Sequence, residues 1–273
     1  MSLEIERRNQ ALGNFVASPS LPEYAPRFAG HFMLARDGGV LTVRLHTRHG
    51  PALWSRGLLN AWNLLLRDIA ADRDNEVVII TGTGDRWIGG IDQASFAEPP
   101  STWHSDLLAE QLNDGIKLLE RLVVDVDVPT IAVINGPGPR LEIALMCDLT
   151  LCTPQTVFAD GNFAAGSVPG DGMYLALSEL AGPKRSAYLA YTGAGLTADE
   201  ARDLGLVNET GPAEQIHARA QELARDIMAR PRIIRRLTHS LVSRNWQRRV
   251  VNDLRAAYTA QLLSMTRCGD RAG

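Results

Sequence analysis

Residues 130–142 read Thr-Ile-Ala-Val-Ile-Asn-Gly-Pro-Gly-Pro-Arg-Leu-Glu. The first five are apolar or β-branched without alternation, which predicts a short strand covered on both faces. The Gly/Pro loop stops that strand, and Ile143-Ala144-Leu145-Met146 begin a helix. A matching run, Val77-Val78-Ile79-Ile80, lies upstream, and a helical stretch over about 107–122 separates the two. A third β-like segment spans 149–153 and leads to a short one at Val157-Phe158. Strands separated by helices predict an α/β fold with a parallel sheet and right-handed crossovers, not an antiparallel sandwich.

Working outward, Phe32–Arg36 and Val40–His46 alternate around Asp37-Gly38-Gly39 and predict a hairpin. A helix follows Ser55, a capping residue, with Leu58, Leu59, Trp62, Leu65, Leu66 and Ile69 on one face. Beyond about residue 185 the pattern is mostly helical. Thr197 and Glu200 form a capping box, Gly205 ends that helix, and Leu206-Val207-Asn208 read as a last strand. Further helices follow Pro212 and Pro231, and another runs from Trp246 towards Met265. The chain divides into an extended arm over 1–30, a sheet-bearing core over 31–200 and a helical module over 201–273.

The chain has 273 residues, 45% of them hydrophobic and 22% charged, which excludes disordered and collagen-like classes. A net charge of −3 leaves no basic excess for binding nucleic acid through phosphates. Only Lys117 and Lys184 are lysines. Cys147, Cys152 and Cys268 cannot form a closed disulfide set and lack metal-ligand spacing, so a reducing, cytoplasmic setting is expected. The start, MSLEIERRNQALGNF, has no apolar signal-peptide core, and no apolar run is long enough to cross a membrane.

In such sheets the chemistry is expected in loops leaving the C-terminal ends of the strands. Three stand out: 81–92, 135–142 and 160–172. The second does not suit a dinucleotide, because Pro139 follows the second glycine and Leu141 stands where the third belongs. No phosphate loop is present either, and no cofactor or metal is expected. His46 and His49 flank a loop near Trp54, while His104, His217 and His239 read as surface helix positions. The arginines of 244–249 read as a solvated or subunit-contact face, with a ligand phosphate as a second option.

Taken together, Gly89-Gly90-Ile91-Asp92, Asn135-Gly136, the helix with Glu142 and Cys147-Asp148, Val168-Pro169-Gly170 and the run 201–209 resemble the crotonase (enoyl-CoA hydratase/isomerase) superfamily over roughly 32–265. That resemblance implies a crotonase-like spiral of ββα units with a C-terminal helical module that builds a homotrimer or hexamer. It also implies an enolate held by two backbone N–H groups, each such donor being worth about 2.7–4 kcal/mol. Gly89 matches the first donor, and at the second position Pro139 has no N–H. Glu142 matches the first hydratase glutamate, and Asn162 stands in place of the second.

Pro169-Gly170-Asp171-Gly172, together with residues 68–73, 81–84 and 91–96, is most similar to the 6-oxocamphor hydrolase (β-diketone hydrolase) branch. By that resemblance Asp171 orients or activates a water, and Trp54 gives its indole N–H to a substrate carbonyl. Arg140 and Asn162 stand where the branch has histidines, and Gln261 replaces an acidic substrate contact. Arg140 then supplies oxyanion charge, with Trp54, Trp87 and Gln261 as substrate-binding residues and Asp171, Glu142 and Asn162 as catalytic ones. The residues alone also admit plainer roles: an N-cap for Asp171, a helix-dipole partner for Glu142, core burial for Trp54 and a tight turn at Gly89. The function expected is hydrolysis of a C–C bond in a β-diketone. The alternatives are an acyl-CoA hydratase, isomerase or hydrolase, and a catalytically silent oligomeric binding protein.

Overall fold

In the computed structural model the described residues are 16–267; the first half of the predicted arm and Cys268 lie outside them. Six strands form the main sheet, side by side in the order Phe32–Asp37, Val40–Leu45, Val77–Thr81, Thr130–Ile134, Leu149–Cys152 and Glu209–Thr210. β1 (Phe32–Asp37) and β2 (Val40–Leu45) are the antiparallel hairpin, with Gly38 and Gly39 at positive φ in its turn. β4 (Val77–Thr81), β6 (Thr130–Ile134), β7 (Leu149–Cys152) and β10 (Glu209–Thr210) continue in parallel, with Ile80 opposite Ala132 and Val133 opposite Leu151. β3 (Leu53–Trp54) pairs separately with β5 (Gly90–Ile91), and β8 (Val157–Phe158) with β9 (Leu196–Thr197).

Every residue of β4 and β6 is buried, because both faces of the sheet are covered. Val77, Ile79, Ile131, Val133 and Leu151 point to one side, where Ile216, Ala220 and Ala224 pack on them. Val78, Ile80, Ala132, Ile134 and Cys152 point to the other, into the main core. The strands' C-terminal ends therefore open onto one edge of that core, where the loops gather.

Helix α1 (Leu21–Phe28) lies in the segment expected to be extended. Ser20 and Glu23 cap its first turn reciprocally, and Tyr24 and Phe28 anchor it in the core. α2 (Arg56–Ala71) starts where Ser55 accepts from the Leu58 amide, and α3 is Ser105–Glu120. The short α4 (Glu142–Leu145) precedes β7, and α5 (Met173–Leu180), α6 (Pro183–Thr192) and α7 (Ala198–Asp203) complete the core. The last strand forms at Glu209–Thr210, displaced from the expected Leu206-Val207-Asn208, whose two apolar side chains are buried.

The remaining helices are α8 (Ala213–Met228), α9 (Arg232–Val242), α10 (Arg244–Arg249) and α11 (Arg255–Arg267). α11 returns to the core beside α3. At Gly115 of α3 a Cβ would lie 2.0 Å from the Tyr258 ring, so the glycine lets α11 approach. His239 of α9 is buried, not a surface position. Its Nδ1 lies 2.8 Å from Asp148 Oδ2 and its Nε2 2.9 Å from the Val126 carbonyl.

Candidate active site

The loop after β6 is tied to the loop after β4 through Asn135, which accepts from the Gly82 amide at 3.0 Å and donates to the Gly84 carbonyl at 2.7 Å. The two loops pack so closely that a Cβ on Gly138 would lie 2.3 Å from the Ile88 carbonyl oxygen. The chain then turns at Arg140, a non-glycine residue at φ 64°. Such backbone is costly and concentrates at functional sites. Here it is held by Trp87, whose indole donates to the Arg140 carbonyl at 3.2 Å.

That turn directs the Arg140 side chain into a cleft of about 560 Å³. Its guanidinium lies 4.6 Å from the Trp54 ring centre. Nε is 2.7 Å from Glu142 Oε1, close in charge but poorly aligned for a hydrogen bond. Nη1 donates to Asp171 Oδ2 at 3.2 Å.

Glu142, in the first turn of α4, is 1% exposed. Burial pushes its carboxyl up to about 7, with Arg140 pulling in the opposite direction. Gly172 makes room beside it: at φ 111°, a Cβ there would meet Leu119 at 2.5 Å and the Glu142 Cγ at 3.2 Å.

Asp171 lies between Arg140 and Asn162. Its contact with its own helix, from the Met173 amide at 3.4 Å, is long, so the carboxylate does more than cap α5. Asn162 Nδ2 donates to Asp171 Oδ1 at 3.3 Å and to Asp160 Oδ1 at 2.9 Å. From α11, Gln261 Nε2 donates to Asn162 Oδ1 at 2.9 Å. Burial raises the Asp160 pKa, opposed by its bonds from Asn162. Near the cleft, Arg56 stacks 4.3 Å from the ring centre of Trp103.

The fold thus brings together Trp54, Arg140, Glu142, Asn162, Asp171 and Gln261 around one cleft. Two expected residues do different work. The Gly89 amide donates to the Ala52 carbonyl at 2.7 Å, because β3 and β5 pair there, so it is not a free oxyanion donor. Trp87 is fully buried behind the loop and supports Arg140 instead of lining the cleft. Asp160, Trp103 and Tyr258 also line it without having been singled out. Asp160 lay within a quoted loop, but nothing in the sequence pointed to Tyr258, 87 positions after Asp171.

Residues 35–266 match the family model described as enoyl-CoA hydratase/isomerase. The chain belongs to this family. A probable mitochondrial enoyl-CoA hydratase of Dictyostelium discoideum is 30% identical over 196 residues, covering 70% of this chain and 68% of that protein. The short-chain-enoyl-CoA hydratase of Clostridium acetobutylicum is 26% identical over 79% of this chain and 82% of its own length. Among solved structures, a β-diketone hydrolase from Anabaena sp. PCC 7120, bound to (S)-3-oxocyclohexyl acetic acid, superposes with a TM-score of 0.84. It is 31% identical and covers 90% of this chain and 97% of that one. An enoyl-CoA hydratase/isomerase from Mycobacterium paratuberculosis shares the fold at a TM-score of 0.80 and 22% identity.

The protein is therefore an enoyl-CoA hydratase/isomerase-like enzyme of the crotonase superfamily, with that superfamily's mixed α/β fold and C-terminal helices. Among the described residues, no helix is long and apolar enough to cross a membrane, and no cluster of His, Cys, Asp and Glu could hold a metal ion.

Proposed function

We propose that this enzyme hydrolyses the C–C bond between the two carbonyls of a small cyclic β-diketone. Arg140 carries the proposal: a half-buried guanidinium on the wall of the cleft, held between Glu142 and Asp171. The 31% identity to a β-diketone hydrolase supports it. So does the charge of the cleft: among the described residues that line it, Glu98, Glu142, Asp160 and Asp171 face one cation, Arg140, a setting that favours a neutral substrate over an anionic one.

The steps follow from positions. Asp171 orients a water against one carbonyl carbon, and ionised Glu142 takes its proton as the new C–O bond forms. The C–C bond then breaks, and its electron pair passes into an enolate whose oxygen lies against Arg140. Glu142 returns the proton to the enolate carbon, giving a keto acid. A positioned donor facing the developing oxyanion is worth about 2.7–4 kcal/mol, and a guanidinium supplies charge besides. Trp54, 8% exposed, walls the cleft and offers its indole N–H to the other carbonyl. No step requires a cofactor.

Incubation with a panel of cyclic 1,3-diketones tests this: ring-opened keto acid is expected from at least one, and much less from Asp171→Asn. No product from any member of the panel would refute it. The alternative, acyl-CoA chemistry, draws on the hydratase relatives. It would lack both amides expected to clamp the thioester, since Gly89 donates to Ala52 and Pro139 has no N–H. Micromolar binding of a CoA thioester by calorimetry would favour that alternative.

We also propose that copies of the chain assemble, as a trimer or hexamer, through the helical module. On α9, Ile233, Ile234, Leu237 and Leu241 are 52–71% exposed, an apolar face that asks for cover. Sedimentation of wild type against Leu237→Asp tests this, a monomeric wild type being the contrary result.

A further inference from the structure

Carboxylates only accept hydrogen bonds, and that simple fact orders the amides on one side of the cleft. Asn162 Nδ2 faces Asp160 and Asp171, so its Oδ1 must face away from them, and there it meets Gln261 Nε2. The Gln261 side chain has one end on that bond, and its Oε1 has no partner. Gln261 is 4% exposed and is carried on α11, 99 positions from Asn162 in the sequence. Without a donor at 261, Asn162 would hold two carboxylates with one end and leave a buried acceptor bare at the other.

We infer that Gln261 is a positioning residue, the donor end of a two-amide relay that holds Asn162 with both amide hydrogens towards Asp160 and Asp171. The relay keeps Asp171 Oδ1 on Asn162 while its Oδ2 stays on Arg140, the orientation that the proposed hydrolysis uses. The other charged or titratable groups lining the cleft are Glu98, Arg140, Glu142 of α4 and Tyr258 of α11. The functional consequence rests on the proposed hydrolysis; the relay itself does not.

Gln261→Glu is the informative variant because it preserves shape and makes donor capacity and charge at this position depend on pH. A protonated carboxyl in place of the amide can donate to Asn162 Oδ1, whereas an ionised one cannot and repels it. The melting temperature of this variant should therefore match wild type near pH 5 and fall progressively below it as pH rises. Gln261→Leu should lower the melting temperature by the same amount at every pH. In diketone cleavage, Gln261→Glu should lose about tenfold in kcat at alkaline pH relative to wild type, with KM little changed. Gln261→Leu should show no such added limb.

Melting curves of Gln261→Glu that run parallel to wild type from pH 5 to pH 9 would overturn the relay. A pH-dependent melting difference in a protein that cleaves no diketone would uphold the relay and refute the hydrolysis. Since melting needs no substrate, the two failures stay distinct.

Discussion

At the N-terminal ends of β4, β6 and β7 stand Glu76, Thr130 and Asp148; beyond the C-terminal ends of the neighbouring β4 and β6 lie the loops that carry Trp87 and Arg140. Both ends of the sheet hold buried arginine, histidine or carboxylate groups, yet they are composed in opposite ways. At the first, Glu76 meets Arg232 and Arg235, and the guanidiniums continue to backbone carbonyls at Arg73, Met228 and Arg230. Asp148 likewise takes the amide and hydroxyl of Thr130 as well as His239. These groups fasten the helical module to the sheet. At the second end, one guanidinium serves Glu142 and Asp171, and buried oxygens of Glu142, Asp160 and Gln261 have no partner. At the first end the buried atoms without a partner are donors, Nε of Arg235 and of Arg236, while the oxygens of Glu76 are met; unmet buried acceptors beside a cleft are the mark of chemistry.

Substitutions at the two ends should separate these roles. His239→Ala removes one partner of a buried pair and should cost about 3–5 kcal/mol of stability, read by urea unfolding, while kcat of the remaining folded enzyme stays unchanged. A fall in kcat of tenfold or more would break the division. Next in size, Arg140→Gln should lower kcat for diketone cleavage by about 10²–10³-fold. Trp54→Phe keeps the ring and removes the N–H, and should raise KM or lower kcat by about tenfold.

The smallest effect is a pH dependence at the fastening end. Both ring nitrogens of His239 face acceptors, so both bonds form only when the imidazole is doubly protonated. Burial acts to lower its pKa, but the hydrogen bond and charge of Asp148 and the Val126 carbonyl outweigh it and raise the value above 6.5. A raised folded-state value means that this stabilisation is complete below about 6.5 and is lost as pH climbs through the folded-state value. Urea midpoints measured from pH 5.5 to pH 9 should fall in wild type and fall less in His239→Gln; equal slopes would contradict the assignment.

Much of the scaffold was legible because its strongest signals are local. Val77–Ile80 and Thr130–Ile134 announce doubly covered strands, and Ser55, Thr197 and Glu200 announce their caps. The helix at Leu21–Phe28 had a local signal too, Ser20 with Glu23, which Pro22 and Pro26 obscured. The site was legible only as a set of residues. That Trp54, Arg140, Glu142 and Asp171 share a cleft followed from family resemblance, but their bonding did not. The Gly89 amide is taken by Ala52 through a two-residue strand too short to read. The turn at Arg140 is held by the Trp87 indole, 53 positions away, and the Asn162–Gln261 bond spans most of the C-terminal half. His239 was misplaced because its burial depends on Asp148 and Val126, 91 and 113 positions away.

The claim that the Arg140 end of the sheet is the chemical one is tested most directly by the pH profile of diketone cleavage. Glu142 must be ionised to accept the water's proton, and burial holds its carboxyl near 7. Wild-type kcat/KM should therefore rise with pH through a midpoint near 7, and that step should vanish in Glu142→Gln together with most of the activity. A profile flat from pH 5 to pH 9, or a Glu142→Gln enzyme as active as wild type, would contradict the account.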